Sequence, residues 1–127
     1  MRCSIFSSAF SINFFRGNTL IKTVTLLTRR PDLSSEEFHR HWKDIHAPLV
    51  LALPGVCRYV QCRPIQVPGR EPQYDGIAEV WYEDIESLNA TLQTSEYEIL
   101  LNDEKNFMGS MTKDSIFMFV EEEEFPV

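Results

Sequence analysis

Three histidines fall within one short stretch, His39, His41 and His46. An unperturbed imidazole titrates near pH 6.5, so each can take up and return a proton at neutral pH or ligate a metal. If the stretch is α-helical, His39, Lys43 and His46 share one side at i, i+4 and i+7, and His41 faces roughly the opposite way. A zinc site needs at least three converging ligands at tight spacing. Arg40 and Lys43 intrude here and no cysteine or carboxylate completes the set, so no metal site is expected. His39 and His41 then read as solvated surface residues. His46 differs because Pro48 follows it. A proline lacks the amide proton and pushes its predecessor, Ala47, away from helical geometry. Two roles for His46 stand open: a proton shuttle pointing into a cavity between helix and sheet, or a cap of the broken helix bonding backbone carbonyls.

A second acid–base candidate is Glu79, which shares a strand face with Ile77, Trp81 and Glu83. A carboxylate among apolar neighbours has a raised pKa and can serve as acid or base; the alternative is an ion pair with Arg58 or Arg63 on the adjacent strand. Tyr59 and Tyr82 can orient a phenolic or carbonyl substrate, or simply pack. Asn106 can bond a ligand or a helix-end backbone group. The chain has no Gly-rich phosphate loop and no Ser or Cys nucleophile motif, which argues against nucleotide enzymes and hydrolases, and no cofactor is expected.

These residues must be positioned by a small set of elements. Lys22 to Arg30 is β-branched and half alternating and is stopped by Pro31, which predicts a first strand. Ser34 and Glu37 match a capping box, and Phe38, Trp42, Ile45 and Leu49 recur at helical spacing, so a helix follows that must bend or restart at Pro48. Val56 to Ile65 predicts a second strand and Tyr74 to Tyr82 a third. Asp84 can cap a helix from Ile85. Ser95 to Glu98 repeats the capping-box pattern for a helical segment running to about Met108, and Ser115 to Glu122 predicts the last strand.

The order strand, helix, strand, strand, helix, strand predicts an α+β fold, a ferredoxin-like βαββαβ sandwich with both helices on one face of an antiparallel sheet. Ile116 to Val120 is apolar on both sides and Val80-Trp81-Tyr82 nearly so, whereas a sheet with one wet face should alternate. The naked face would carry Trp81 and either the Phe117/Phe119 or the Ile116/Met118 pair as one apolar patch. A second copy of the sheet is the simplest cover, which predicts a homodimer through sheet faces.

The chain has 127 residues and a formal charge of −7, enough for one domain. Residues 1–30 carry five basic residues and no acid; from Pro31 onward seven basic residues face nineteen acidic ones. That acidic body repels phosphates and anionic lipid, so neither nucleic acid nor membrane is an expected partner. Cys57 and Cys62, if in one strand, are about 16 Å apart, too far for a disulfide. The three cysteines therefore read as small buried hydrophobes or idle thiols, which favours a reducing, cytoplasmic location. Residues 1–21, Ser- and Phe-rich, read as an extension of the domain or as an organelle-targeting segment.

The stretch Leu33 to Tyr59, LSSEEFHRHWKDIHAPLVLALPGVCRY, resembles the signature of the EthD family, within the dimeric α/β-barrel superfamily. The most specific part is Trp42, then Asp44-Ile45-His46-Ala47-Pro48-Leu49, then Leu53-Pro54-Gly55. The likeness continues through Tyr74–Tyr82 and Asp103–Phe107, and implies an EthD-like domain over residues 22–124. Trp42, Trp81 and Phe107, in these stretches, are assigned to the substrate pocket with Tyr59, Tyr82 and Asn106. The resemblance favours His46 as catalytic, with Glu79 as its alternate. It implies a cofactor-independent enzyme that moves a proton α to a carbonyl of a hydrophobic aromatic, polyketide or lactone-type substrate, giving dehydration, cyclisation or isomerisation. A cofactor-free monooxygenase of the same architecture and a non-enzymatic binding protein are the competing readings.

Overall fold

The computed structural model describes residues 20–110 and 116–127. The expected extension 1–21 lies almost wholly outside the described residues. Four strands form one antiparallel sheet: β1 (Ile21–Leu27), β2 (Val56–Cys62), β3 (Gly76–Tyr82) and β4 (Ile116–Glu121), in the order β2-β3-β1-β4. Between β1 and β2 run α1 (Ser35–His41), a π-helical turn (Trp42–His46) and α2 (Ala47–Leu51). Between β3 and β4 run α3 (Ile85–Thr91) and α4 (Ser95–Glu104). This is the expected α+β, ferredoxin-like arrangement.

Local chemistry sets the boundaries. Ser34 caps α1 with the full capping box, its hydroxyl accepting from Glu37 N–H and Glu37 reaching back to the Ser34 amide. Asp84 caps α3 as expected. α4 starts one residue early, because the Thr94 hydroxyl rather than Ser95 accepts the Tyr97 amide. β1 stops at Leu27 and not Arg30: the Arg29 amide donates to the Asp75 carboxylate at 2.8 Å and the Arg30 amide to the Phe107 carbonyl at 2.8 Å. Asp75, used in that way, also delays β3 to Gly76.

Pro48 does not break its helix. Ala47 stays helical at φ −56° and ψ −43°, and its amide bonds the Trp42 carbonyl five residues back. The wider π turn makes room for the proline ring, which in a regular α-helix would strike the carbonyl four residues earlier. The helical backbone at this point has no free end for His46 to cap.

In-register partners share a face. Thr23, Thr25 and Leu27 of β1 align with Val80, Ala78 and Gly76 of β3, and Thr25 and Thr23 with Phe117 and Phe119 of β4. All of these face the helices. Phe117 and Phe119 meet edge to face at 5.0 Å, as a regular strand requires. The other face carries Lys22, Val24 and Leu26 with Trp81, Glu79 and Ile77, and Met118 and Ile116. The core lies between sheet and helices. One cluster joins Val50, Leu53, Val56, Tyr82, Leu88 and Leu100; another joins Leu27, Phe38, Trp42, Phe107 and Met108.

Trp81, expected in a naked patch, is instead 3% exposed. Arg58 stacks on its ring at 4.5 Å, Lys22 lies over it at 4.7 Å, and Leu20 and Cys57 complete its surroundings. What stays open is β4, where Ile116, Phe117, Met118 and Phe119 are each about half exposed. The cysteines also differ from expectation: Cys57 is disulfide-bonded, and only Cys62 is a free thiol among the described residues.

Gly76 has little room. A Cβ there would fall 2.6 Å from the Trp42 ring. Gly76→Ala must therefore displace a fully buried indole, and an overpacked core of this kind loses about 1–3 kcal/mol. Chemical denaturation of the variant should show that loss in its midpoint with an unchanged slope.

Candidate active site

The π turn reorganises the histidines. Five residues of α-helix rotate a side chain by about 500°, leaving His41 and His46 roughly 140° apart. The i→i+5 turn winds more slowly and brings both rings to one side, facing α4. There a single carboxylate holds them. Asp103 Oδ1 lies 2.8 Å from His41 Nε2, and Asp103 Oδ2 lies 2.9 Å from His46 Nδ1. Asn106 donates a third hydrogen bond to Asp103 at 3.1 Å. Burial works against the ionised carboxyl, but the bonds from Asn106, His46 and His41 outweigh it and hold Asp103 below its ordinary range. Phe107 fixes both rings from the side, stacked on His41 and tilted on His46, each at 4.8 Å.

His41 is thus a partner of Asp103 and not the solvated surface residue expected. His39 is also not free in solvent: its ring packs edge-on to Phe38 at 5.1 Å and near Trp42 at 6.0 Å. Among the described residues no set of three His, Cys, Asp or Glu side chains is placed to hold a metal ion.

His46 is 5% exposed, and its ring lines a cavity of about 90 Å³ between helices and sheet. That is several times the ~10–15 Å³ one water needs. Desolvation lowers the His46 pKa, and the hydrogen bond and charge of Asp103 only partly oppose it. An ionised Asp103 accepts a hydrogen bond from His46 Nδ1–H, so a neutral His46 carries its lone pair on Nε2, the nitrogen left for the cavity.

The rest of the cavity is mostly apolar: Leu27, Trp42, Val50, Leu53, Val80 and Leu100 among others, with Phe117 at its half-exposed rim. Three tyrosines line it, Tyr59, Tyr82 and Tyr97. The Tyr59 oxygen accepts from Gln61 Nε2 at 2.8 Å and from the Trp42 side chain. Both acceptor positions are used, so its own O–H is what remains to offer a ligand. Burial, against those two bonds, raises its pKa and keeps it protonated. Burial and then the Tyr97 neighbour push Tyr82 up to about 12.

Glu104 also lines this cavity. Burial, and then the Asp103 charge beside it, push its carboxyl up to about 7. Residue types alone gave no reason to separate it from the other acids of α4; the helical phase that turns it toward the sheet is the missing signal.

Of the residues expected from sequence, the fold brings together His46, Trp42, Tyr59 and Tyr82. Phe107 and Asn106 stand behind the histidines and support Asp103. Glu79 and Trp81 face the opposite side of the sheet, where they form a separate polar group. Lys22 Nζ reaches Glu79 Oε2 at 2.9 Å and Glu122 Oε2 at 3.1 Å, and Trp81 Nε1 donates to Glu122. The Glu79 partner is therefore Lys22, from the neighbouring β1, and neither Arg58 nor Arg63. Burial opposes the Lys22 charge, but the two carboxylates hold its pKa above the ordinary value.

The sequence model of the EthD domain matches residues 30–110. None of the curated proteins matches the chain. Among solved structures, an ethyl tert-butyl ether D (EthD) family protein from Bacillus halodurans is 27% identical with a TM-score of 0.69, over 82% of this chain and 99% of that one. A cofactor-independent oxygenase from Streptomyces nogalater, SnoaB, is 13% identical with a TM-score of 0.61, over 84% and 95%. A dimeric protein of unknown function and ferredoxin-like fold from Bacteroides fragilis is 10% identical with a TM-score of 0.59, over 80% and 95%.

Glu104 generates a pH prediction. Its pKa is higher folded than unfolded, so its stability contribution is full below its ordinary value of 4.5 and is lost as pH rises through about 7. Glu104→Gln keeps the volume and removes the charge. Thermal melts should show the variant gaining on the parent as pH rises from 4.5 to 7. The gap at pH 8 should be on the order of 2 kcal/mol, after allowing for the partial solvent access of the carboxyl.

Proposed function

The chain belongs to the EthD domain family, and from that premise we propose that it is a small cofactor-independent enzyme using His46 as a proton-transfer base on a hydrophobic aromatic, polyketide or lactone-type carbonyl compound. The observation that carries this reading is the His46 ring: Nδ1 engaged by Asp103 at 2.9 Å, and Nε2 left for a cavity that is otherwise mainly apolar. A base with its tautomer fixed by a carboxylate needs no reorientation before it takes a proton. The Tyr59 hydroxyl supplies the complementary donor for the carbonyl oxygen, where charge develops once the α-proton leaves. The apolar lining suits a ring-containing ligand held by few polar contacts. Glu79, on the far face, takes no part in this scheme.

A second reading uses the same base to generate a substrate carbanion that reacts with dioxygen. The fold shared with the Streptomyces oxygenase favours keeping it. Oxygen consumption measured with an electrode separates the two.

The test uses exchange of the α-hydrogens of α-tetralone against heavy water, followed by NMR. His46→Asn retains a donor for Asp103 but cannot shuttle a proton near pH 7, and should lose 10²–10⁴-fold in exchange rate. Its melting midpoint should move by less than the His46→Ala midpoint, because Ala also strips a hydrogen bond from a buried carboxylate, at about 1–3 kcal/mol. An active His46→Asn protein would overturn the assignment.

We further propose that the protein works as a homodimer through the sheet face opposite the helices, where Ile77, Ile116 and Met118 are left exposed. Solved relatives of this fold are described as dimeric, which supports the reading. Met118→Asp should shift the sedimentation of the protein at micromolar concentration from dimer to monomer while leaving the far-ultraviolet circular dichroism intact.

A further inference from the structure

Glu104 is unexplained by the scheme so far. It sits in α4 directly after Asp103, yet its circumstances are opposite. Asp103 is tied by three side-chain hydrogen bonds. No hydrogen bond joins the Glu104 carboxyl to any described residue; it lines the same cavity as His46 and Tyr59, among Val80, Tyr97, Leu100 and Met108. A carboxyl in a mainly apolar wall, with nothing among the described residues to neutralise it, is costly to keep ionised.

We propose that Glu104 is a second catalytic residue of this cavity, the general acid that protonates a leaving hydroxyl, and that the substrate is a β-hydroxy carbonyl compound which the protein dehydrates. This rests on the reading of His46 as the base and extends it to a substrate class. In the first half, His46 Nε2 takes the proton from the carbon α to the carbonyl. The C–H electron pair moves into the enolate, whose oxygen is bonded by Tyr59 O–H. In the second half the carbonyl reforms, the α,β double bond forms and the bond from the β-carbon to oxygen breaks. The Glu104 proton goes to that oxygen, and water leaves. His46 then gives its proton to solvent and Glu104 takes one back, so the sum is loss of one water with no change of oxidation state.

Two different acid–base environments in one cavity are what such a reaction needs. His46 is held neutral, as a base, by burial, and Glu104 is held protonated to about pH 7 by burial and by Asp103. Among the described residues, the ionisable groups coupled to Glu104 are Asp103 and Tyr97 from its own helix, while His46 from the π turn and Tyr59 and Tyr82 from the sheet line the same cavity. Apart from Asp103 none is expected to be charged at neutral pH, so the balance between the two groups is set inside the cavity.

The experiment separates the two halves. The probe is the β-hydroxyketone formed from benzaldehyde and acetone, whose dehydration product, benzylideneacetone, absorbs in the near ultraviolet. Exchange of its α-hydrogens in heavy water reports the base step, and absorbance reports elimination. The parent protein is expected to do both and His46→Asn neither. Glu104→Gln should keep exchange within a few-fold and lose elimination by 100-fold or more, with loss of the alkaline limb near pH 7 in the elimination profile. Elimination by Glu104→Gln at the parent rate would overturn the acid role. So would equal loss of exchange and elimination, which would make Glu104 a support of His46. A parent protein that exchanges nothing would overturn the base reading itself, and the Glu104 role with it. ¹³C-carboxyl NMR of the free protein gives a ligand-independent check: a Glu104 signal already ionised at pH 5 removes the acid outright.

Discussion

One carboxylate, that of Asp103, ties the two halves of the chain together at the point where the chemistry sits. It bridges His41 and His46, at 2.8 and 2.9 Å, and so joins the first helical arm to α4. A buried carboxylate is tolerated only when its lone pairs are taken, and the two imidazoles and Asn106 take them. The consequence runs both ways. The histidines keep Asp103 ionised, and Asp103 fixes which nitrogen of His46 holds the proton. Remove it, and the His46 ring loses its orientation and the two helical arms lose a shared anchor.

That bridge exists only because the helix is wound loosely at Trp42–His46. The π turn puts two residues five apart on one side, and it accommodates Pro48 without a break. A local departure from α-helical geometry costs hydrogen-bond quality, and such turns are retained where they aim side chains. Here the side chains aimed are Trp42, against Gly76 of the sheet, and His46, in the wall of the cavity. The close approach of the Trp42 ring to Gly76 is part of the same arrangement, since any larger residue at position 76 would press on that ring.

The sheet separates two polar systems. On the helix side, His46, Tyr59 and Glu104 line the cavity, and among the described residues no hydrogen bond engages His46 Nε2 or the Glu104 carboxyl. On the other side, Lys22, Glu79, Glu122, Trp81 and Arg58 satisfy one another by ion pairs, a hydrogen bond and cation–π contacts. Mutual satisfaction is the ordinary state of charged groups on a sheet face. A carboxyl such as Glu104, in a cavity wall with no bonding partner among the described residues, is the exception.

The sequence by itself determined the order of the elements, the caps at Ser34 and Asp84, the two-sided apolar character of β4 and the place of His46 two residues before Pro48. Each of these depends on residues within a turn or two of one another, whose preferences hold in any surroundings. It determined the family as well, through Trp42, His46-Ala47-Pro48-Leu49 and Pro54-Gly55. Tertiary structure decided the rest. Whether Glu79 meets Lys22 or Arg58 depends on which strand neighbours β3 on each side and in what register, and alternation along one strand does not reveal that. That His41 joins His46 depends on a π turn, which has no distinctive residue pattern. Above all, Asp103 and Glu104 look alike in a run of acidic helix. One is held toward its ionised form and the other pushed toward its neutral form only because burial and hydrogen bonding, properties of the packed surroundings, set the charge of a carboxyl.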